Sequence, residues 1–249
     1  MVKINWFENI KGIVLLALAG IFIQKYVSGN LYNYISPRFG WLAILGAVLL
    51  ALMALSIINL RPAKEDPQTI HPGHDHEKEH KTSYWALILI SVPLLMGILI
   101  PSHPLGASQV ANQGVSTGLS APSSDLQISL KVIPAERNVL DWVRAIGANP
   151  DPASLNGQQA NVIGFVYRDI HYASDQFMIA RFAVSCCVAD ARAIGLVVTT
   201  PDAAQYATGE WLEVKGHFSA GKLDASPIPV IFADGITPVE QPAQPYLYP

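Results

Sequence analysis

The sequence predicts an α-helical membrane region with three transmembrane helices, followed by a domain that is all-β or α+β. Hydrophobic residues make up 51% of the 249 residues and charged residues only 14%, whereas an ordinary soluble domain carries roughly a quarter charged residues. No Asp, Glu, Lys or Arg occurs in 39–60 or in 82–124. Residues 1–124 hold 8 Lys/Arg and 6 Asp/Glu, net +2, and the remainder hold 8 and 13, net −5. This pattern is typical of a membrane protein with an acidic soluble end.

Two of the three predicted spans follow directly from apolar runs. Residues 39–60 supply the roughly 20 mainly apolar residues that a helix needs to cross the hydrocarbon core. Residues 84–100 lie near the lower limit of length, with Tyr84 and Trp85 placed as interface aromatics. Pro93 should kink this helix rather than end it, because proline is tolerated where membrane helices pack together.

The remaining span, over 10–27, has an uncharged centre of only 13 residues, GIVLLALAGIFIQ. Lys11 and Lys25 flank this centre, and their long side chains can extend to the two membrane surfaces. A cleaved signal peptide is the alternative. No small-x-small cleavage pattern follows the apolar run closely, so we favour an uncleaved span.

The orientation follows from the lysines and arginines of the short flanks, which favour the cytoplasmic side. The N-terminus and the 61–83 loop contain Lys3, Lys11, Arg61, Lys64, Lys78 and Lys81. The opposite side has Lys25 and Arg38 and then none before Lys131. The count predicts a multi-pass protein of the plasma (inner) membrane with a transmembrane domain at 1–101. Its N-terminus and 61–83 loop are cytoplasmic, and the part after about residue 101 is extracytoplasmic.

The 61–83 loop contains the stretch HPGHDHEKEH, whose imidazole and carboxylate groups suit zinc, nickel, cobalt or copper. The candidate ligands are His71, His74, His76 and His80. The stretch has no cysteine and no second cluster with which to complete a rigid cage. The sequence therefore predicts a flexible metal-binding segment. A solvated connector is the alternative, because histidine-rich composition indicates metal binding only in general terms.

The chain after the third span changes from a linker to a helix and then to strands. Residues 102–124 are rich in Ser, Gly, Ala and Pro, which predicts a linker. A helix is expected over 138–146, where Asn138 can cap the start and Gly147 can end it. Five runs with a period of two then predict strands: ANVIGFVYRD, QFMIARFAV, AIGLVVTT, EWLEVKGHF and PVIFADGI.

These strands predict a small five-stranded OB-like barrel in an extracytoplasmic domain at 125–249. Gly164 and Gly216 lie inside strands and suit the tight bends of such a barrel. The net negative charge argues against nucleic acid, which needs a basic groove with aromatic residues. No nucleophile elbow, HExxH motif or phosphate-binding glycine loop is present, so we expect no enzyme. His171 and His217 are expected at the surface or in satisfied core positions.

Several stretches along the chain carry a family resemblance. They are YISPRFGWLAILGAVLLALMAL, the acidic histidine run, a third span that ends in PSHPLG, RFAVSCCVADA, and the closing PYLYP. Together they resemble a bacterial family of two-part membrane proteins described as permease subunits and typically encoded beside a larger polytopic permease. The most specific pieces are ISPRF at 35–39 and RFAVSCCVADA at 181–191. The resemblance implies a partner subunit but no particular substrate.

Cys186 and Cys187 are the two cysteines of the chain, and three roles are open for them. Side chains alternate across a strand, so neighbours can bind one metal only if the strand ends near Val184 and turns. A disulfide between neighbours is strained and easily reduced. Two small buried hydrophobic side chains are the third alternative. The family resemblance at this stretch favours a metal or redox role for Cys186, Cys187 and Asp190.

The sequence as a whole predicts an accessory subunit of a membrane permease complex. Its expected partners are a polytopic permease and the lipid bilayer, and the candidate cofactor or solute is a divalent transition metal such as zinc. A membrane-tethered extracytoplasmic module that binds a small ligand is one alternative. A thiol-redox protein that uses Cys186 and Cys187 is another. Arg181 is expected to pair with a carboxylate such as Asp175.

Overall fold

Packing divides the chain into a helical unit and a sheet unit. The computed structural model describes residues 6–59, 84–113, 136–149 and 151–249. The helical unit comprises Met1–Tyr32 and Pro37–His103, and the sheet unit comprises Asn33–Ser36 and Pro104–Pro249. We call Asn33–Ser36 the connector segment. It belongs to the sheet unit, although in the sequence it lies between two helices of the helical unit.

The described part of the helical unit contains three apolar helices. Helix α1 spans Trp6–Val27, α2 spans Gly40–Asn59 and α3 spans Tyr84–Leu99. Short 3-10 turns at Asn30–Asn33 and Pro37–Phe39 precede α2. These helices coincide with the apolar runs of the sequence.

Two of the described helices are long and apolar enough to cross a membrane, over Asn9–Val27 and Pro37–Asn59. Helix α3 has 16 residues, which gives a length of about 24 Å against a hydrocarbon core of about 30 Å. Pro93 lies inside α3, and the helix continues past it. The expectation that this proline does not end the helix is therefore confirmed.

Small side chains allow α1 and α2 to approach each other closely. The buried residues of α2 are Gly40, Ala43, Ala47 and Ala54. On the α1 side, a Cβ added to Gly12 would lie 2.7 Å from Cγ1 of Ile58. Larger side chains of α2, including Leu49, Leu52 and Met53, are more than half exposed. Membrane helices show this arrangement, because small residues permit close packing and large apolar residues face lipid or a partner helix.

The described part of the sheet unit contains two helices and six strands. Helix α4 spans Ala107–Gln113 and α5 spans Val139–Ala148. The strands are β1 Gln159–Tyr167, β2 Gln176–Ala183, β3 Arg192–Thr199, β4 Trp211–Leu223, β5 Ser226–Pro238 and β6 Tyr246–Leu247. The first five coincide with the five predicted runs. The sixth has two residues, too few to show an alternating pattern.

Helix α4 lies where the sequence predicted a linker. Its Val110 is completely buried and belongs to a hydrophobic cluster of the sheet unit. The helix is otherwise built from small and polar residues, of which Ala107 packs against the same cluster. Composition averaged over 102–124 does not show these contacts, so the helix at Ala107–Gln113 was not predicted.

The strands are hydrogen-bonded in the order β1-β4-β5-β3-β2-β6, with a further pairing between β1 and β2. Each of the first five strands therefore pairs with two others of the five, and the pairing returns to its starting strand. The pairs are antiparallel except β3 with β5 and β2 with β6, which are parallel. A helical region followed by a mixed six-stranded sheet confirms the broad fold class.

Strand β4 shows how alternation produces a buried face. Val214 and Phe218 are buried, whereas the residues that alternate with them are partly or fully exposed. The register with β5 shifts at Gly216, and a Cβ at this position would meet the carbonyl oxygen of Phe232. The position therefore requires glycine, as expected for a tight bend in a curved sheet.

Helix α5 closes one side of the main core and begins at the predicted cap. The Asn138 side chain accepts hydrogen bonds from two helix amides, and the Asp141 carboxylate accepts one from the Asn138 amide, which forms a capping box. The helix continues one residue past Gly147, the predicted end. Trp142 packs against Phe218 with ring centroids 4.6 Å apart. This contact joins α5 to the strands.

Candidate metal centre

Two neighbouring cysteines lie just after β2. The strand ends at Ala183 and the chain turns before Cys186, which fulfils the condition under which neighbouring thiols can share a metal. The two Sγ atoms are 3.6 Å apart. Both thiols are free, and Cys186 is exposed while Cys187 is partly buried. The exposure of Cys186 overturns the alternative of two buried hydrophobic side chains.

Asp190 completes a group of three potential ligands. It ends the 3-10 turn Val188–Asp190 that follows the cysteines. One potential ligand atom from each of Cys186, Cys187 and Asp190 lies within 4.8 Å of the other two. We call these three residues the thiol–carboxylate cluster. Within the described ranges, it is the group of His, Cys, Asp or Glu side chains that has this spacing.

Backbone amides orient the Asp190 carboxylate. Oδ1 accepts a hydrogen bond from the Ser185 amide at 2.9 Å, and Oδ2 accepts from the amides of Cys186 at 2.7 Å and Cys187 at 3.4 Å. Partial desolvation acts to raise the pKa of Asp190. The Cys186 thiol and the three amides act the other way because they bond the charged form, and the pKa is lowered overall. The carboxylate is therefore ionised and fixed in direction at neutral pH.

The Cys186 thiol is held in its neutral form. The pKa of this thiol is raised from 9.0 to about 11. The largest cause is its hydrogen bond to Asp190, and the next is its hydrogen bond to Cys187. Reactive and redox-active cysteines have lowered pKa values. The raised pKa therefore disfavours a role as a free nucleophilic thiolate, and a cation that binds this sulfur has to displace its proton.

The connector segment pairs with the backbone of the two cysteines. The Ser36 amide donates to the Cys186 carbonyl at 2.9 Å, and the Val188 amide donates to the Tyr34 carbonyl at 2.9 Å. Between these bonds, Ile35 forms an antiparallel bridge with the second cysteine. Ile35 and Ser36, the first two residues of ISPRF, thus pair with the stretch RFAVSCCVADA within the sheet unit.

Arg181 ties the end of β2 to the residues before β6. Its buried guanidinium donates to the carbonyls of Pro245 and Gln244, both at 2.8 Å, and to that of Ile163 at 3.3 Å. The prediction that it pairs with Asp175 was therefore wrong, because main-chain carbonyls satisfy its donors. Burial lowers the pKa of Arg181 to about 10, which leaves it protonated at neutral pH.

Tyr246 anchors the connector segment from the other side. Its hydroxyl accepts a hydrogen bond from the Leu105 amide at 2.8 Å and donates to the Asn33 carbonyl at 3.1 Å. The side chain is only 3% exposed. This structural role of Tyr246, within the closing PYLYP, was not predicted from the sequence. The residue type could have indicated this role, because a buried tyrosine usually finds a hydrogen-bond partner for its hydroxyl.

Two sequence profiles of one family match the chain, the DUF1980 N-terminal domain over residues 10–116 and the DUF1980 C-terminal domain over residues 122–249. The chain belongs to the DUF1980 family. A relative from Streptococcus mutans serotype c, named "Putative two-component membrane permease complex subunit", is 23% identical over 94% of this chain and 97% of its own. A relative from Bacillus subtilis (strain 168), named "UPF0703 protein YcgQ", is 24% identical over 95% of this chain and 98% of the relative's own length. The resemblance inferred from the sequence is confirmed.

The predicted histidine ligands of this DUF1980 chain, His71, His74, His76 and His80, lie outside the described residues. His171 and His217 are described, and both are exposed. Nδ1 of His171 is 3.0 Å from Asp224, and Nδ1 of His217 is 3.3 Å from Asp234. Of the predicted ligands, the structure therefore brings together those of the thiol–carboxylate cluster.

The sheet unit of this DUF1980 chain also has a groove of about 520 Å³ that was not predicted from the sequence. Its lining comes from the β1–β2 loop, which contributes His171 and Asp175, and from the β4–β5 hairpin, which contributes Lys222 and Asp224. Phe232 of β5 adds an apolar surface. The lining residues are far apart in the sequence, and their types are common on surfaces, so no local pattern indicates the groove.

Proposed function

We propose that the chain is an accessory subunit of a two-part membrane permease complex. The observation that carries the proposal is the nearly full-length match with the Streptococcus mutans relative, whose name describes a subunit of such a complex. The apolar surfaces of α1 and α2 support it, since both helices have the length and composition of membrane-crossing helices. The expected partner is a polytopic permease in the same bilayer.

In this proposal the chain crosses the plasma (inner) membrane three times, over 10–27, 39–60 and 84–100. Helix α3 is shorter than the hydrocarbon core is thick, and local thinning of the bilayer accommodates such a mismatch at modest cost. The six-to-two excess of lysine and arginine supports a cytoplasmic N-terminus and 61–83 loop. The domain at 125–249 is then extracytoplasmic, joined to the transmembrane domain at 1–101 through 102–124.

We propose further that the five-strand ring is a small OB-like barrel that docks on, or gates, the permease. The parallel pairing of β3 with β5 and the antiparallel pairings of β1 with β2 and β4 support this topology. Residues from 125 onward hold 8 Lys/Arg against 13 Asp/Glu, which supports a role without nucleic acid. We assign the chain no catalytic reaction of its own.

The solute in this proposal is a divalent transition metal such as zinc. The thiol–carboxylate cluster supports it with sulfur and oxygen ligands on the proposed extracytoplasmic side. The stretch HPGHDHEKEH supports it with a loose set of imidazole and carboxylate ligands on the proposed cytoplasmic side. Ligands for the same class of cation would then lie on both sides of the membrane.

Affinity purification of the tagged full chain from native membranes tests the subunit assignment. We expect one polytopic membrane protein to be recovered with the chain and to stay bound at high salt, because contacts between apolar helices are not screened. An unrelated three-span protein with the same tag is the control. Recovery of the chain alone, or of the same proteins with the control, refutes the assignment. Metal analysis of the purified complex tests the solute separately.

The groove beside the β4–β5 hairpin favours a second candidate function, a membrane-tethered extracytoplasmic module for a small ligand. A volume of about 520 Å³ lies within the range of small-molecule sites. This candidate predicts that Lys222→Ala weakens binding of a ligand that raises the unfolding temperature of the full chain. The permease assignment predicts no such dependence. The thiol-redox alternative predicts turnover of a thiol–disulfide substrate, which the raised pKa of Cys186 disfavours.

A further inference from the structure

We propose that Cys186, Cys187 and Asp190 bind one thiophilic divalent cation such as zinc, and that this cation and the docked connector segment stabilise each other. The proposal deepens the permease function above and rests on it only for the biological use of the cation. The site itself lies within the sheet unit.

The distances within the thiol–carboxylate cluster suit a tetrahedral cation. Zinc–sulfur bonds of about 2.3 Å at tetrahedral angles place two ligand sulfurs about 3.8 Å apart, and the two Sγ atoms here are 3.6 Å apart. A carboxylate oxygen of Asp190 lies within 4.8 Å of both. The three side chains can therefore reach one cation with small movements of their ends.

Asp190 keeps an acceptor position for the cation. A carboxylate offers about four lone-pair sites, and three backbone amides are hydrogen-bonded to this one, one at Oδ1 and two at Oδ2. These amides orient the ligand in the way that outer partners orient ligands in metal sites. One divalent cation and two thiols give a bis-thiolate complex and two protons, which pass to water, with no change in oxidation state.

The coordination of the cation would remain open at one position. Structural zinc sites are closed by four protein ligands, whereas functional sites keep a position for water or another ligand. In the described ranges the cluster offers three ligands, and Cys186 is exposed. A water molecule or a group from the partner subunit would fill the fourth position. Such a site can take up a cation and pass it on.

The connector segment holds the backbone of both ligand cysteines. The bond from the Ser36 amide to the Cys186 carbonyl and the bond from the Val188 amide to the Tyr34 carbonyl bracket Cys187. The backbone that carries both thiols is thereby held in place before a cation arrives. A cation that binds this ordered form more tightly than the undocked form must stabilise docking by the same factor, because coupling between two binding events is reciprocal.

Cobalt titration of the purified full chain in detergent tests the site. The background is a chain in which the four loop histidines are replaced by serine, so that a cobalt signal reports the cluster. We expect one Co²⁺ per chain with a thiolate-to-cobalt charge-transfer absorption, displaced by Zn²⁺. Cys186→Ser and Cys187→Ser should each reduce the absorption, and Asp190→Asn should weaken binding. Ser185→Ala is the matched control and should bind like the parent. No thiolate absorption in the folded parent overturns the site.

Hydrogen–deuterium exchange of the peptide that contains Ser36 tests the coupling. A cation that does not bind the undocked form makes undocking rarer by about a hundredfold when its free concentration is a hundred times its dissociation constant. We expect Zn²⁺ to slow exchange of the Ser36 amide towards that limit. Tyr246→Phe is the control for docking, because it removes the hydroxyl bonds to Asn33 and Leu105 without touching a ligand. It should speed exchange without zinc by about fivefold or more.

Unchanged exchange of the Ser36 amide in a chain that has bound Zn²⁺ overturns the coupling and leaves the site. The parent alone decides this outcome, so it does not depend on the folding of any variant. Purification of the Cys186→Ser, Cys187→Ser double variant with the polytopic partner separates the two proposals. If the partner is recovered but the parent chain shows no thiolate absorption, the metal site is wrong and the permease assignment stands. If the parent chain shows the absorption but no partner is recovered, the permease assignment is wrong and the metal site stands.

Discussion

Replacement of Asp190 by asparagine should make the Cys186 thiol more reactive. The hydrogen bond to Asp190 is the largest cause of a Cys186 pKa raised from 9.0 to about 11. Asparagine keeps the size of the side chain and one of the two acceptor oxygens, and it carries no negative charge. The neutral thiol loses its strongest acceptor, and its pKa should fall. Because the thiolate is the nucleophile, a lower pKa gives a larger reactive fraction at any pH below that pKa.

The size of the effect follows from the two pKa values. At pH 8 a thiol with a pKa of about 11 is ionised in about one molecule in a thousand, and one with a pKa of about 9 in about one in ten. The more acidic thiolate is also the weaker nucleophile, with a Brønsted coefficient of about 0.4–0.5, which cancels about half of the gain on a logarithmic scale. Complete removal of the shift would therefore speed alkylation about tenfold. Cys187 causes part of the shift, so the expected increase is several-fold.

Alkylation of the full chain by iodoacetamide in detergent measures this effect. A Cys187→Ser background leaves Cys186 as the one thiol that can be alkylated. Its alkylation rate is measured over a pH series in this background, with Asp190 retained and with Asp190→Asn. The rate for the aspartate form should still be rising at the highest pH, whereas the rate for the asparagine form should level off earlier. Ser185→Ala should behave as the aspartate form does. Equal or slower alkylation with asparagine would refute the assignment of the raised pKa to the carboxylate.

Gly216→Ala should destabilise the sheet unit by about 2 kcal/mol or more, because the new Cβ would meet the carbonyl of Phe232; thermal unfolding in detergent measures it, and an unchanged midpoint would contradict the close approach. Arg181→Met should cost about 2–3 kcal/mol, because it leaves buried carbonyls without donors, and Arg181→Lys should cost less; equal losses would mean that the guanidinium geometry is irrelevant. A reporter active only outside the cytoplasm should work after residue 125 and fail near residue 77, and the reverse would overturn the lysine and arginine count. Replacement of the four loop histidines by serine should leave membrane insertion intact and reduce zinc or nickel binding. Binding equal to that of the parent would make the loop a plain connector. The four residues are His71, His74, His76 and His80.

The strands were predictable where one face is buried and not where both faces are exposed. The run EWLEVKGHF shows the alternation that identifies β4, and Val214 and Phe218 are buried as that pattern requires. The strand continues to Leu223 beyond the predicted end. That extension pairs with the first part of β5 as a hairpin with little burial. Backbone hydrogen bonds hold it there, and they leave no hydrophobic period in the sequence.

The ligands of the candidate site were predictable from residue type and spacing, whereas their supports were not. Cys186, Cys187 and Asp190 carry side chains with recognisable chemistry. The bonds that position them run between backbone groups of the connector segment and of residues 186–188, and every residue but proline offers such groups. The same reason explains the error at Arg181. A sequence displays carboxylates as partners for a guanidinium, but it does not show which carbonyls will be nearby.

The anchoring of the connector segment also implies an order of events during synthesis of the chain. Asn33 and Tyr246, which are hydrogen-bonded, are separated by 213 positions. At a translation rate of about 5–20 residues per second, the ribosome needs about 10 to 40 s to reach the second after making the first. Helices α1 and α2 are neighbours in the sequence and can enter the bilayer as a hairpin within that interval. The amides and carbonyls of the connector segment must then stay hydrated at the membrane surface until the rest of the sheet unit arrives. Under the permease proposal, a partner subunit made in the same interval would meet this surface before it closes.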